Sequence, residues 1–271
     1  MANGSMGGVF GLQGSRVEIL YGDWVGNSTN NYGWFGGGFT ASAVTTVDKI
    51  TFATDTNTAS VRGSLSVARQ SLAVCSDGSS NGWFGGGNAG GYVSTVDKIA
   101  FATDTNTASV RGSLSLARYA LAAVSDGSSN GWFGGGSAGS IVSTVDKITF
   151  ATDTNTASVK GSLSIARYFL AAVSDGSANG WFGGGYTTAY ISTVDKKIFA
   201  TDTNTASVRG SLSVTRGYLA AVSDGSANGW FGGGHNGSIV STIDKIAFAT
   251  DTNTASVRGS LSLARYALAA I

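Results

Sequence analysis

The side chains that could support hydrolysis are few, and the single histidine of the 271-residue chain, His235, limits where such chemistry could lie. A Ser-His-Asp triad uses an imidazole as its general base, so a triad could form only around this residue. His235 follows a Gly-Gly-Gly run that occurs five times, and the other four runs are followed by Phe39, Asn88, Ser137 and Tyr186. None of these side chains replaces a histidine base. The sequence therefore predicts that the protein is not an enzyme.

Oxygen ligands in the repeated Thr-Asp-Thr-Asn-Thr segments, such as residues 103–107, could be taken for a calcium site. The segments lack the glycine and the distal glutamate of an EF-hand, and Asp and Asn form tight turns without an ion. The Gly-Gly-Gly runs are not followed by the Gly-Lys-Ser/Thr of a phosphate-binding loop. Cys75 is the only cysteine, so no intrachain disulfide and no cysteine-based metal cluster can form. We expect no metal and no cofactor.

Composition excludes two classes of partner. The chain has 17 Lys plus Arg against 16 Asp plus Glu, a net charge of +1, and only 12% charged residues. Without a basic surface, neither nucleic-acid binding nor electrostatic anchoring to a membrane is expected. The first residues lack the pattern of a secretory signal, and no apolar run is long enough for membrane insertion. Because 42% of the residues are hydrophobic, the chain should fold, and its 41 glycines are expected in turns.

An internal repeat determines the architecture. The tryptophan of Gly-Trp-Phe-Gly-Gly-Gly recurs every 49 residues, at Trp34, Trp83, Trp132, Trp181 and Trp230. Five units fill residues 27–271, behind a divergent leader at residues 1–26 that we expect to be a docking segment or a partial blade. Short apolar segments bounded by Asn-Gly, Asp-Gly and Gly-Gly-Gly predict β-strands and turns.

Each unit is predicted to hold four strands, A to D, which in the third copy cover residues 118–124, 131–134, 143–152 and 157–164. Four strands in about 40 to 50 residues is typical of a propeller blade, so the predicted fold class is an all-β propeller. Five blades are favoured, with the last strand A, residues 265–271, completing the first blade. The alternative is six blades, the sixth combining that strand with leader strands at residues 9–12 and 16–20. Gly8-Val9-Phe10-Gly11 resembles Gly-Trp-Phe-Gly.

The motifs of the unit resemble those of the kelch repeat. They are an arginine, an apolar strand, an aromatic pair before a glycine doublet, a Val-Asp strand, an Asp-Thr-Asn turn and the next arginine: Arg118, Leu121 to Val124, Trp132-Phe133-Gly134-Gly135, Val145-Asp146, Asp153-Thr154-Asn155 and Arg167. The resemblance covers all five units. It departs where kelch repeats carry a tryptophan after the turn, since this chain has Ala157-Ser158-Val159. Similar units occur in phage and other viral structural proteins and in cyanobacterial proteins, so the resemblance implies a propeller in a virion.

An arginine begins every predicted strand A. It could bridge blades and meet backbone carbonyls, or it could form an anion-binding ring at the propeller axis. The five residues are Arg69, Arg118, Arg167, Arg216 and Arg265.

The copies differ mainly at two places, the loop after Gly-Gly-Gly and the pair after that arginine. In an up-and-down blade the B–C loops and the D–A crossings lie on one face, opposite the constant Ser-Asp-Gly-Ser turns. Relaxed constraint in loops would produce such variation. A recognition surface would too, and aromatic and short polar side chains suit one. The candidate binding residues are Phe39, Asn88, Tyr92, Tyr119, Tyr168, Tyr186, Tyr190, Tyr218, His235, Asn236 and Tyr266.

The expected function is that of a non-catalytic binding or structural module. The resemblance implies a tail, fibre or capsid-associated protein whose variable face meets a host surface glycan or a neighbouring virion or host protein. Assembly is then expected through the leader. The alternative is a free lectin-like or protein-interaction propeller, either natural or engineered from near-identical repeats.

Overall fold

The protein folds into antiparallel sheets arranged as the blades of a propeller, as seen in a computed structural model that describes residues 18–20, 23–25, 32–54 and 58–268. The predicted all-β fold with five blades is confirmed. Four blades have four repeat strands each and the first has three. The described residues form no sixth blade, and the leader strand expected at residues 9–12 lies outside them.

Strands follow the repeat closely. A leader hairpin consists of β1 (Glu18–Leu20) and β2 (Asp23–Val25). Blade 1 contains β3–β5, blade 2 β6–β9, blade 3 β10–β13, blade 4 β14–β17 and blade 5 β18–β21. Their bounds, in order, are Tyr32–Gly36, Thr46–Thr51 and Ser60–Ser64; Ala73–Ser76, Asn81–Gly85, Thr95–Ala100 and Ser109–Ser113; Ala122–Ser125, Asn130–Gly134, Thr144–Thr149 and Ser158–Ser162; Ala171–Ser174, Asn179–Gly183, Thr193–Ile198 and Ser207–Ser211; and Ala220–Ser223, Asn228–Gly232, Thr242–Ala247 and Ser256–Ser260.

Two strand boundaries differ from the prediction by three residues or more. Strand A of blade 3 begins at Ala122 rather than Arg118, because Ala120 has a left-handed φ of 54° that interrupts the extended backbone. Strand C ends at Thr149, where a 3₁₀ turn begins. The 3₁₀ turns are Phe52–Thr54, Phe101–Thr103, Phe150–Thr152, Phe199–Thr201 and Phe248–Thr250. Across the described part of the chain, no helix is long and apolar enough to cross a membrane.

The inner edge of blade 5 carries the leader hairpin. β1 pairs antiparallel with β18, placing Glu18 opposite Ser223, and β2 pairs with β1. Blade 1 begins at its second repeat strand, since β3 is the innermost strand of its sheet. The last strand A was predicted at residues 265–271 to complete blade 1; its residues 269–271 lie outside the described residues.

Neighbouring blades are joined by an aromatic stack that continues into a hydrogen bond. Trp83 of blade 2 stacks on Phe150 of blade 3 with ring centroids 3.9 Å apart, and its Nε1 donates to Asp153 Oδ2 at 2.8 Å. Lys98 lies 3.7 Å from the same carboxylate. This aspartate belongs to one of the repeated Thr-Asp-Thr-Asn-Thr segments. Its carboxylate therefore joins blade 3 to blade 2. No cluster of three or more metal-ligating side chains occurs among the described residues.

The arginines of the first four D–A crossings are structural. Arg69, Arg118, Arg167 and Arg216 are fully buried. Each pairs with the aspartate of its blade's third strand at 3.0–3.2 Å, and each donates from Nη2 to the carbonyl of the phenylalanine in the second strand. Arg265 is exposed. The interpretation that these residues meet carbonyls and stabilise the blades is confirmed for the four buried arginines.

Lys197 is a buried lysine at a position where the other copies have isoleucine, and it is 1% exposed. Its Nζ donates to the Asn204 carbonyl, and burial lowers its pKa while Asp202 opposes that shift. We expect Lys197→Ile to stabilise the fold by about 1–2 kcal/mol, because a desolvated ammonium is replaced by the apolar side chain that the site holds elsewhere. Urea unfolding at neutral pH measures this gain.

The pH dependence of Lys197→Ile provides an internal check. A lowered pKa means that the unfolded chain binds the Lys197 proton more tightly than the folded chain. The cost of burying the charge is complete below the lowered pKa and fades as pH rises towards the ordinary value of 10.5. The stability difference between variant and wild type should therefore shrink over that interval. A difference that stays constant would assign the gain to packing alone.

Candidate functional site

The two variable places lie on one face of the propeller, where backbone bridges join them directly. Tyr119 pairs with Ser137, Tyr168 with Tyr186, and Gly217 with His235. In each pair the residue after the arginine exchanges hydrogen bonds with the residue after Gly-Gly-Gly, at 2.8–3.1 Å. The prediction that B–C loops and D–A crossings share a face is confirmed. We call this surface the variable face.

A ladder of backbone hydrogen bonds runs from blade to blade beneath the variable face. From Ala120 onwards, the second residue after each arginine donates its N–H to the carbonyl of the equivalent residue one repeat earlier, at 2.8–2.9 Å, and Ser71 is the first acceptor. These residues have φ of 54–56°, which is uncommon for side chains other than glycine, asparagine or aspartate. The ladder fixes this strained backbone, so the side chains it carries are held in place. The residues are Ser71, Ala120, Phe169, Tyr218 and Ala267.

Seven aromatic rings on blades 4 and 5 and the adjoining D–A crossing form a closed circuit of contacts on the variable face. The tightest contact stacks Phe169 on Tyr218, with centroids 3.7 Å apart. The other six successive contacts have centroid separations of 4.4–5.9 Å. In order around the circuit, the rings are Tyr168, Phe169, Tyr218, Tyr266, His235, Tyr190 and Tyr186. We call this set the aromatic circuit.

Two further tyrosines extend the circuit towards blade 2. Tyr119 contacts both Tyr168 and Phe169 at about 6 Å between centroids, and Tyr92 stacks on Tyr119 at 4.9 Å. Tyr92 and Tyr266 are exposed, at 41% and 50%, while the members between them are half-buried. Eight of the eleven predicted site residues therefore form one continuous surface.

Three predicted residues take no part in these ring contacts among the described residues. Phe39 of blade 1 is 60% exposed and has no ring contact among the described residues. Asn88 is bridged to Gln70, and its Oδ1 accepts the Gly90 N–H. Asn236 accepts the Ser238 N–H. These asparagines shape their loops.

The aromatic circuit presents neutral hydrogen-bonding groups. Burial and then the neighbouring tyrosines raise the pKa of Tyr218 to about 12, so its hydroxyl keeps its proton at any physiological pH. Tyr190 Oη lies 2.7 Å from His235 Nδ1, which also accepts the Gly237 N–H at 3.3 Å. Because Nδ1 is the acceptor, the imidazole proton belongs on Nε2. The surface thus combines apolar rings with hydroxyl and imidazole donors.

Two positions that shape the aromatic circuit were missed by the choice of candidate residues. Phe169 is at the centre of the circuit, with contacts to Tyr119, Tyr168 and Tyr218. Gly217 lies against the Tyr190 ring, because a Cβ there would be in van der Waals contact with the ring at 3.4 Å. Both were visible as departures from the repeat. After the arginine, blade 3 has tyrosine then alanine, blade 4 has tyrosine then phenylalanine, and blade 5 has glycine then tyrosine.

The opposite face is built from the constant turns, in which one aspartate organises each loop. Asp224 Oδ1 accepts the N–H groups of residues 226, 227 and 228 at 2.7–3.1 Å, and Oδ2 accepts Asn228 Nδ2 at 2.6 Å. Burial alone would raise the pKa of Asp224, but these hydrogen bonds outweigh it and lower the pKa to about 2. The hydrogen bonds of Asp224 are therefore made within its own turn.

We expect Asp224→Asn to weaken the acid sensitivity of the fold. The depressed pKa stabilises the wild type above the ordinary value of 3.8, and this contribution is lost as pH falls through about 2. Thermal unfolding between those pH values should show a shallower loss of stability in the variant, together with a lower stability near pH 7. Parallel curves for the two proteins would contradict the assignment.

Comparison with models of known protein families and with curated proteins found no match.

Proposed function

We propose that the protein is a non-catalytic binding module whose variable face recognises neutral carbohydrate. The aromatic circuit is the observation that carries this proposal. Pyranose rings present apolar C–H faces that pack on aromatic rings, while their hydroxyls need donors and acceptors close by. The circuit supplies both and contains no Lys, Arg, Asp or Glu side chain. The fold itself is consistent with a binding role.

A preorganised surface supports recognition further. Phe169 and Tyr218 sit on backbone held by the inter-blade ladder, so little conformational freedom is lost when a ligand docks. Strained conformations at a surface are a feature from which function can be inferred. Rigid aromatic anchors flanked by short polar residues are also the composition of antibody recognition loops.

The proposed context is a virion, where the module would attach to a host surface glycan. This part rests on the resemblance of the repeat motifs to those of viral structural proteins. A free lectin-like propeller would use the same face. The two differ in whether the module works as part of a larger assembly.

Binding of the purified chain to a broad glycan array tests the proposed ligand class. We expect retention on neutral glycans and little salt dependence, because no charge pairing is involved. A blank array from a folded protein would contradict carbohydrate recognition and favour a protein partner on the same face. Retention only on sulfated or sialylated glycans would also contradict it.

A further inference from the structure

Five Asn-Gly pairs lie in the described part of the chain, and one of them differs from the rest in its surroundings. An asparagine before glycine can cyclise, because no Cβ obstructs attack by the glycine nitrogen on the asparagine side chain. The reaction is favoured by an exposed glycine, a polarised side-chain carbonyl and a group that takes the proton. The five asparagines are Asn81, Asn130, Asn179, Asn228 and Asn236.

The first four pairs begin the second repeat strand of their blades and are held in place. In blade 5, Asn228 Nδ2 donates to Asp224 Oδ2 at 2.6 Å, and the Asn228 N–H donates to Oδ1 at 2.9 Å. Gly229 is buried, and a Cβ there would lie 2.8 Å from Val173 of the preceding blade. The same contact between asparagine and aspartate recurs at 2.6–2.7 Å in the three other copies. Cyclisation at these pairs therefore requires the turn to break.

Asn236 lies in the B–C loop of blade 5, where the surroundings favour cyclisation. Gly237 is exposed. Asn236 Oδ1 accepts the Ser238 N–H at 3.2 Å, which polarises the side-chain carbonyl. The Gly237 N–H donates to His235 Nδ1 at 3.3 Å. An imidazole nitrogen is therefore placed at the proton that the glycine nitrogen must lose.

We propose that Asn236 is a site of spontaneous deamidation in the folded protein. The Gly237 nitrogen passes its proton to His235 Nδ1 and bonds to Asn236 Cγ. The bond between Cγ and Nδ2 breaks, and the amide nitrogen takes up that proton and leaves as ammonia. Water then opens the five-membered imide at either of its carbonyls, which gives aspartate or isoaspartate. Water is the only other reactant.

Tyr190 supports the proton transfer, because its Oη lies 2.7 Å from the same Nδ1 of His235. A hydroxyl both donates and accepts, so the Tyr190 oxygen can accept the N–H of the protonated imidazole. The product carries a new carboxylate at residue 236, next in sequence to a ring of the aromatic circuit. The modification thus adds a negative charge to the variable face, whichever ligand that face binds.

Peptide mapping of the folded full chain by mass spectrometry tests the proposal. Trypsin releases residues 217–245 as one peptide that contains both Asn228 and Asn236, so every sample carries its own control. After incubation at neutral pH, fragmentation of this peptide should show conversion at Asn236 at least about tenfold faster than at Asn228. A sample digested without incubation gives the background. Incubation in urea, which unfolds the Asp224 turn, should bring the two rates together.

Two variants carry residues that other copies have at the same positions, so both should fold. Asn236→Ala should abolish the isoaspartate that forms in the folded wild type. His235→Ser should slow conversion at Asn236 by about tenfold or more, because the proton acceptor is lost. Conversion at Asn236 no faster than at Asn228 in the folded protein would overturn the proposed site. An unchanged rate in His235→Ser would overturn the role given to His235.

Discussion

Replacing Arg118 with methionine should destabilise the protein by about 3–5 kcal/mol. Arg118 Nη1 lies 3.1 Å from Asp146 Oδ2, and both side chains are fully buried. Without the guanidinium, the Ser115 N–H at 3.0 Å would be the one hydrogen-bond donor left to Asp146 within the described part of the chain, and the Phe133 carbonyl would lose its hydrogen bond from Nη2. A buried carboxylate left in this state is costly. Urea unfolding measures the loss.

Arg111→Met is the matched control for Arg118→Met. Arg111 is in the same repeat and pairs with Asp153 at 3.6 Å, but its side chain is 35% exposed. Asp153 keeps Trp83 Nε1 and Lys98 as partners, so losing this partly exposed guanidinium should cost about 1 kcal/mol or less. The double variant Arg118→Met/Asp146→Asn should recover part of the lost stability, because the uncompensated charge is gone. Equal losses for the two single arginine variants would contradict a buried role for Arg118.

Gly112→Ala should be among the most damaging small substitutions, costing about 1–3 kcal/mol or more. A Cβ on Gly112 would lie 1.8 Å from the Asn155 carbonyl oxygen and 2.6 Å from its carbon. The Gly112 N–H also donates to the Asp153 carbonyl at 2.6 Å. Because the obstacle is backbone of the next blade, relief requires the two blades to separate.

Gly91→Ala is the control for Gly112→Ala. No atom lies within 4 Å of a Cβ on Gly91, and its φ is not in the left-handed region. The thermal unfolding midpoint of Gly91→Ala should match that of the wild type, while Gly112→Ala should unfold at a lower temperature. If both variants melt with the wild type, the blades are not in backbone contact at this turn.

Periodicity was enough to predict the propeller and the sharing of one face by the variable residues, because strand alternation and turn chemistry are local. The boundaries of strand A were not predictable in this way. The left-handed φ at Ala120 depends on its hydrogen bond to the Ser71 carbonyl in the preceding blade, which is a tertiary contact. The inner position of the leader hairpin is likewise set by pairing with β18, about 200 residues away.

The candidate site was predicted as a face but not as a circuit. Tyrosine at residues 168, 186 and 190 was recognisable from variation among the copies. That Phe169 connects them depends on the ladder, which turns a residue next to a buried arginine towards the variable face. Phe39 is aromatic and has the same repeat position as His235, yet it makes no ring contact within the described part of the chain.

The most direct test of the central claim compares three proteins on one glycan array: the wild type, Phe169→Ala/Tyr190→Ile/Tyr218→Ala, and Phe39→Ser. Every substitution introduces a residue that another copy has at the same position, so the fold should persist. We expect the triple variant to lose at least about 100-fold in affinity, equivalent to about 2.7 kcal/mol, and Phe39→Ser to bind as the wild type does. Undiminished binding by the folded triple variant would contradict recognition through the aromatic circuit.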